Sequence, residues 1–182
     1  MVSPMTIENV TIAEITKAIR NVPDFPQPGI QFKDITPLLA DARLFAGSID
    51  HLTARFQPGA VDAVVGIDAR GFIFAAAAAY KLKCGFVPVR KKGKLPYQAY
   101  EQTYDLEYGS NTIAVHTDAV KAGSRVVLVD DLLATGGTSG AAAILLQRLG
   151  AQILEAAFLI ELSFLKGREK LKGFPVRSLV VY

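Results

Sequence analysis

The stretch V-V-L-V-D-D-L-L-A-T-G-G-T-S, Val126–Ser139, decides the fold of this chain. Its opening run, Val126–Val129, is apolar at every position, the pattern of a strand buried on both faces of a sheet. The run ends in two adjacent carboxylates, Asp130 and Asp131, followed by Leu132, Leu133 and Ala134 and then by Thr135, Gly136, Gly137 and Thr138. Small residues at that point open a helix predicted over Thr138–Leu149, which Gly150 stops. The first turn of a helix leaves backbone N–H groups without internal partners, and here they belong to Thr135–Thr138. Glycines let a ligand approach the backbone, two hydroxyls add donors, and the helix dipole favours an anion. This chemistry fits a phosphate monoester, with Asp130 and Asp131 suited to accept hydrogen bonds from the vicinal hydroxyls of a ribose. The bland alternative is an acidic turn ahead of an ordinary helix. Each piece of it is common, but the ordered string is not.

Two other phosphate loops are excluded. A P-loop needs a lysine directly after its last glycine, and none follows Gly137. The G-x-G-x-x-G spacing of a dinucleotide fold is also absent from the segment.

Outward from this segment the pattern alternates. Asp62–Ile67, Gly85–Val89, Arg125–Val129, Ile153–Leu162 and Ser178–Val181 are apolar runs of strand length. Helices are predicted through Phe72–Lys81 and Thr138–Leu149, and Asn111–His116 suggests a further strand, antiparallel at an edge. Buried strands alternating with helices predict an α/β fold, a doubly wound and mostly parallel sheet flanked by helices. In such sheets ligands bind beyond the carboxyl ends of the strands. Ahead of the sheet, Ile12, Ile15 and Ile19 mark a short amphipathic helix within Thr11–Arg20. Asp41 can cap a second helix with Leu44, Phe45, Ile49, Leu52 and Phe56 on one face, stopped by Pro58 and Gly59. Between them N-V-P-D-F-P-Q-P-G enforces extended and turn structure. No repeat or low-complexity linker divides residues 1–182, so a single domain is expected, with an N-terminal region of about 40 residues ahead of the main sheet.

Bulk composition agrees. At 182 residues, 51% hydrophobic and 20% charged, the chain is globular. No apolar run approaches the roughly 18 residues of a spanning helix, and the first residues lack a basic-then-apolar leader pattern. Cys84 is the lone cysteine, expected to be a buried, inert thiol. These features predict a cytoplasmic protein with no membrane partner. The net charge of +3 suits a polyanionic ligand but is too small to imply nucleic acid. Arg90, Lys91, Lys92 and Lys94 form a basic run around Gly93 that is either a solvated loop or an anion contact. His51 and His116 lack neighbours at metal-ligand spacing and are expected to be structural. No protein metal site is predicted.

Val126–Ser139 resembles the signature of type I phosphoribosyltransferases, which binds 5-phosphoribosyl-1-pyrophosphate (PRPP). The resemblance to the adenine-specific members extends over nearly the whole chain. It is carried by D-F-P-Q-P-G-I-Q-F-K-D-I-T-P-L-L (Asp24–Leu39), D-A-R-G-F-I-F (Asp68–Phe74), V-P-V-R-K-K-G-K-L-P (Val87–Pro96), Y-D-L-E-Y-G (Tyr104–Gly109) and L-K-G-R-E-K-L (Leu165–Leu171). It implies the type I phosphoribosyltransferase fold, with a small N-terminal base-binding hood over about residues 1–40 and a flexible catalytic loop. Ala134, Thr135, Gly136, Gly137 and Thr138 would hold the 5′-phosphate, and Asp130 with Asp131 the ribose hydroxyls. Arg70 would meet the pyrophosphate, the surface alternative being a residue beside a helix start. Lys91, acting within its own chain or from a neighbouring subunit of a homodimer, and Lys94 would add to it. Phe32 would stack on adenine beside the main chain of Gln31 and Lys33, although it could instead fill the core. Many relatives carry arginine in place of Lys33 and a small apolar residue in place of Gln31.

The resemblance also implies a reaction. Hypoxanthine and guanine relatives carry an aspartate where this chain has Ala134, and alanine cannot move a proton. Glu107, on the mobile loop, is therefore the expected general acid/base, or else a loop-stabilising residue. Tyr108 would cover the site, while Tyr97, Tyr100 and Tyr104 pack the loop, whose run of tyrosines and polar residues reads as a flexible hairpin. The implied activity is purine salvage: a transferase giving AMP and pyrophosphate from adenine and PRPP, with Mg2+ carried mainly by PRPP and pyrophosphate. Its alternatives are a transferase for another purine base and a non-catalytic PRPP-sensing regulator. The regulator would need a nucleic-acid module that the residues before Asp62 do not supply.

Overall fold

A chain of short buried apolar runs has to pair them side by side and cover the result with helices, and the computed structural model, which describes residues 9–105 and 109–182, does so. The described chain divides into two compact units, Met1–His51 and Leu52–Tyr182.

The first unit begins with α1 (Ile12–Ala18). Thr11 caps it: its Oγ1 accepts from the Glu14 N–H at 3.2 Å, and Glu14 Oε2 accepts from the Thr11 N–H at 2.9 Å, a capping box. Strands β1 (Arg20–Pro23) and β2 (Gln31–Asp34) then form an antiparallel ribbon with Val22 opposite Phe32. Their pairing closes the proline-rich segment that the sequence showed as extended and turn structure. A short α2 (Thr36–Ala40) follows; five residues are too few for periodicity to reveal. Next comes α3 (Ala42–Thr53), started by Asp41, whose Oδ1 accepts from the N–H groups of Arg43 and Leu44 at 2.9 and 3.0 Å. The helix ends before Phe56, which the periodicity had included. His51 is structural, its Nε2–H donating to the Val10 carbonyl at 2.6 Å.

The second unit holds the main sheet: β3 (Ala63–Ile67), α4 (Gly71–Leu82), β4 (Gly85–Lys91), β5 (Ala99–Asp105), β6 (Ser110–His116), β7 (Arg125–Leu133), α5 (Gly137–Arg148), β8 (Gln152–Glu161) and β9 (Val176–Val181). Between β8 and β9 lie two short 3-10 turns, Ser163–Leu165 and Gly167–Lys170. The strand order is β5-β6-β4-β3-β7-β8-β9. β4, β3, β7, β8 and β9 run parallel, and β6 is antiparallel to both β4 and β5. The chain winds outward from β3 to β4 and then crosses back to lay β7 on the other side of β3. This reversal makes the gap between the carboxyl ends of β3 and β7 the topological switch point.

Val65, Ile67, Val126, Leu128 and Phe158 pack in one buried cluster with Ala142, Leu145 and Leu146 of α5. On the alternate sheet positions, Gly66 admits α4: a Cβ there would lie 2.7 Å from that of Ala75. The alanines of α4 are thus a close-packing face. Cys84 is half-buried, and burial pushes its thiol pKa up, which fits an inert role.

Two expectations need correction. β6 is antiparallel, but the sheet edge is β5, whose run of tyrosines and polar residues reads in sequence as a flexible hairpin and pairs antiparallel with β6. Tyr100 and Tyr104 pack on the core cluster, with the Arg148 guanidinium 3.9 Å from the Tyr100 ring centroid, whereas Tyr97 is exposed. β7 also does not end at Val129. It continues through both aspartates because Leu132 and Leu133 keep pairing with Ile160 and Glu161 of β8. Among the described residues no helix is long and apolar enough to cross a membrane.

Candidate active site

Three loops meet at the switch point. After β7, the chain turns at Gly136, whose φ of +73° lies in the left-handed region that glycine adopts without strain, and α5 starts at Gly137. No side chain caps this helix. Among the described residues, the N–H groups of Thr135, Gly136, Gly137 and Thr138 donate to no other protein group. They border a cavity of about 80 Å³ lined also by Asp130, Ala134 and Ser139. A helix start with open donors facing a cavity is built to receive an anion.

Next to it lies a larger cavity of about 320 Å³, bounded by Asp68, Ala69 and Arg70 from the β3 loop and by Asp130, Asp131, Ala134 and Thr138. The two cavities share Asp130, Leu132, Ala134 and Thr138. Arg70 Nε lies 2.7 Å from Asp131 Oδ2, joining the loop after β3 to the carboxylate pair of β7. The Asp131 N–H donates to Asp130 Oδ1 at 2.9 Å. Gly71 opens α4 directly against Asp130, where a Cβ would overlap the Asp130 carboxyl and sit 3.2 Å from the Val129 carbonyl oxygen.

Burial raises the pKa of Asp130 well above the ordinary aspartate value, and the neighbouring Asp131 charge raises it further. Burial also raises that of Asp131, against the opposing pull of the Arg70 guanidinium. Two carboxylates side by side with a single guanidinium favour a pair that shares its negative charge. The neutral member can donate a hydrogen bond while the ionised one accepts. Such a pair suits two adjacent hydroxyl groups, each both donor and acceptor.

The basic run splits into distinct roles. Arg90 Nε lies 3.1 Å from Asp68 Oδ2, and Arg90 Nη1 donates to the Lys94 carbonyl at 3.1 Å, so Arg90 ties the β4 turn to the β3 loop. Lys92 pairs with Glu101 of β5 at 2.7 Å. Lys91 and Lys94 are exposed and line neither cavity. The bracing role of Arg90 was hidden in the sequence because its partner, Asp68, is distant in the chain.

In the first unit, Gln31, Phe32 and Lys33 occupy β2. Asn21 links the two polar ones: its Nδ2 donates to Gln31 Oε1 at 2.7 Å and its Oδ1 accepts from Lys33 Nζ at 3.2 Å. Phe32 is half-buried with its ring edge-on to Phe25 at 5.1 Å, so it is not a residue of the sealed core. Glu107 and Tyr108 lie outside the described residues.

A model of the phosphoribosyl transferase domain matches residues 31–174, which take in β2, both cavities and the two 3-10 turns. The adenine phosphoribosyltransferase of Roseiflexus sp. (strain RS-1) is 56% identical over 164 residues, 90% of this chain and 95% of that protein. The chain belongs to the phosphoribosyltransferase family, among its adenine phosphoribosyltransferases. The fold agrees with this membership. The crystal structure of adenine phosphoribosyltransferase from Thermoanaerobacter pseudethanolicus superposes with a TM-score of 0.90 at 50% identity, covering 94% of this chain and all (100%) of the other. The Saccharomyces cerevisiae enzyme, complexed with D-2,5-dideoxy-2,5-imino-altritol 1,6-bisphosphate and adenine, gives 0.87 at 44% identity over 92% and 97% of the two chains. The type I phosphoribosyltransferase fold expected from Val126–Ser139 is the fold observed.

Proposed function

We propose that this chain transfers the phosphoribosyl group of PRPP to N9 of adenine, giving AMP and pyrophosphate. The observation that carries the proposal is the joined pair of cavities. One has four open N–H donors and is sized for a phosphate; the other holds the Arg70–Asp131–Asp130 cluster and is sized for the ribose and diphosphate. Relatives at 50–56% identity are named adenine phosphoribosyltransferases, which favours neither another purine base nor a non-catalytic sensor.

In this reading the N–H groups of Thr135–Thr138 hold the 5′-phosphate, and Asp130 and Asp131 take the ribose hydroxyls. The Arg70 fork takes the pyrophosphate. The C1′–O bond to pyrophosphate breaks, the N9–C1′ bond forms, and the proton lost by adenine passes to Glu107. Phe32, with the main chain of Gln31 and Lys33, takes the base. Lys91 and Lys94 supply further positive charge to the diphosphate, Lys91 from the second subunit of a homodimer. Catalysis is then mainly positioning and electrostatic stabilisation of a sugar with cationic character.

Magnesium demands about six oxygen ligands in octahedral array, and the site supplies two adjacent carboxylates, one already paired with Arg70. These residues fit an ion that arrives with the oxygens of PRPP and leaves with those of pyrophosphate. When bound, it neutralises the leaving diphosphate. We place the enzyme in the cytoplasm.

A competition assay tests the assignment. Pyrophosphate release is followed with PRPP and equal adenine, hypoxanthine and guanine, and adenine should be consumed first. Faster release with either oxopurine would overturn the adenine reading.

A further inference from the structure

The phosphate cradle is backed by a segment that takes no part in the chemistry described above. Gly167, buried in the turn between β8 and β9, packs backbone to backbone against the cradle. A Cβ on Gly136 would overlap the Gly167 carbonyl, and one on Gly167 would overlap the Ala134 carbonyl. That same Gly167 Cβ would stand 2.9 Å from Leu133 Cδ1 and 3.0 Å from the Gly136 nitrogen. With no side chain on either face, the position of Gly167 is transmitted directly to the N–H groups of the cradle.

The neighbouring residue holds Gly167 in place. Arg168 Nε and Nη2 donate to Glu161 Oε1 and Oε2, both at 2.6 Å, a bidentate fork. Arg168 Nη1 donates to the Val176 carbonyl at 2.8 Å, and Ser178 Oγ donates to Glu161 Oε2 at 2.6 Å. Glu161 ends β8 with only 4% of its surface exposed, and Arg168 holds its carboxyl below the ordinary glutamate range. The end of β8 is in turn fastened to the end of β7, where the Leu162 N–H donates to the Leu133 carbonyl at 2.9 Å. A buried carboxylate on the strand beside the cradle therefore fixes, through a rigid guanidinium, the glycine that backs it.

We propose that Glu161, Arg168 and Gly167 form a positioning clamp that sets the aim of the Thr135–Thr138 donors and so determines affinity for the 5′-phosphate of PRPP. The inference rests on the function proposed above. Arg168 and Glu161 line neither cavity; they are positioning residues, not catalytic ones.

The test measures PRPP binding by calorimetry, KM for PRPP and for adenine, and the urea midpoint in the wild-type chain and in Gly167→Ala, Arg168→Gln, Arg168→Lys and Ser178→Ala. Displacing the cradle weakens charge-assisted hydrogen bonds, so Gly167→Ala and Arg168→Gln should raise the PRPP Kd and KM by about tenfold or more while the adenine KM stays within about twofold. Arg168→Lys should fall between wild type and Arg168→Gln, because an ammonium keeps the charge but loses the fork. Ser178→Ala, the mildest change, should show the same selectivity for PRPP at smaller size. If Gly167→Ala does not fold, the Arg168 and Ser178 variants carry the decision. PRPP binding like wild type in the folded variants overturns the clamp and leaves the function standing, and so does an equal rise in both KM values tracking the loss of midpoint. Wild-type protein that fails to bind PRPP overturns both.

Discussion

Replacing Asp131 by asparagine should weaken PRPP binding while leaving the fold as stable as before, or more so. The carboxylate is nearly buried, with 9% of its side chain exposed, and sits beside Asp130; its cationic partner, Arg70, is 41% exposed. Losing one charge-assisted hydrogen bond to a ribose hydroxyl costs about 1.5–3 kcal/mol, roughly ten- to a hundredfold in Kd. On the stability side the terms oppose one another. The Asp131→Asn change gives up the ion pair with Arg70, worth about 1 kcal/mol after discounting for the exposure of the guanidinium. It also removes a desolvated charge and the repulsion that raises the pKa of Asp130. The two changes nearly cancel or favour the variant. Calorimetric titration with PRPP gives the first quantity and urea unfolding the second. Unchanged PRPP affinity would refute the ribose role, and a large loss of stability would refute the electrostatic account of the pair.

Gly71→Ala should lose stability, by about 1–3 kcal/mol for the buried hydrogen bond it breaks, and bind PRPP worse, because the new methyl pushes the Asp130 carboxyl off the Asp131 N–H; PRPP affinity equal to wild type in the folded variant would count against that geometry. Glu155→Gln should lower the urea-derived stability by about 2 kcal/mol, since Glu155 is buried between Arg55 at 3.0 Å and Arg177 at 2.7 Å, with part of the charge-pair loss recovered by amide hydrogen bonds. Turnover per folded molecule should not change, and a selective loss of kcat would show that the ion pair does more than hold β8 to β9. Glu107→Gln should reduce kcat by about a hundredfold or more with little change in PRPP affinity; normal turnover would move the proton chemistry elsewhere. Arg125 holds the Asp62 pKa down at about 2 from an ordinary 3.8. A depressed folded pKa gives stability that is present above the unfolded value and lost as pH falls through the folded one, so the urea midpoint should drop between those two values. Arg168 acts in the same direction on Glu161, and Asp130 with its raised pKa acts in the opposite one. Asp62→Asn should flatten the acid slope, and an unaltered slope would exclude Asp62 as a source.

Much of the site was legible because its parts are adjacent in the chain. Asp130, Asp131 and Thr135–Thr138 lie within nine residues, and their order of strand, acids and glycines specifies local geometry before any tertiary contact forms. Arg70 was placed by the family resemblance of Asp68–Phe74 at the end of β3, not by local chemistry alone. Contacts between distant residues were not legible. Arg90 looked like one member of a basic run, and only its approach to Asp68 shows it as a brace. Gly167 and Arg168 were legible only as part of the family segment Leu165–Leu171, since nothing near them announces Glu161 or the Gly136 backbone. The run holding β5 was legible as a flexible hairpin but not as the edge of the main sheet, because a one-sided edge strand carries polar residues at every second position.

From residue order alone come the α/β class, the phosphate cradle and the family, because periodicity and turn chemistry act over a few residues at a time. Tertiary structure decides which carboxylate faces Arg70, how far both aspartates are desolvated, and what stands behind the cradle. Those properties depend on the register of β7 against β3 and β8, where strands far apart in sequence meet and water is excluded. Burial and pairing set the charge of Asp130 and Asp131, and neither is a property of two letters in a row.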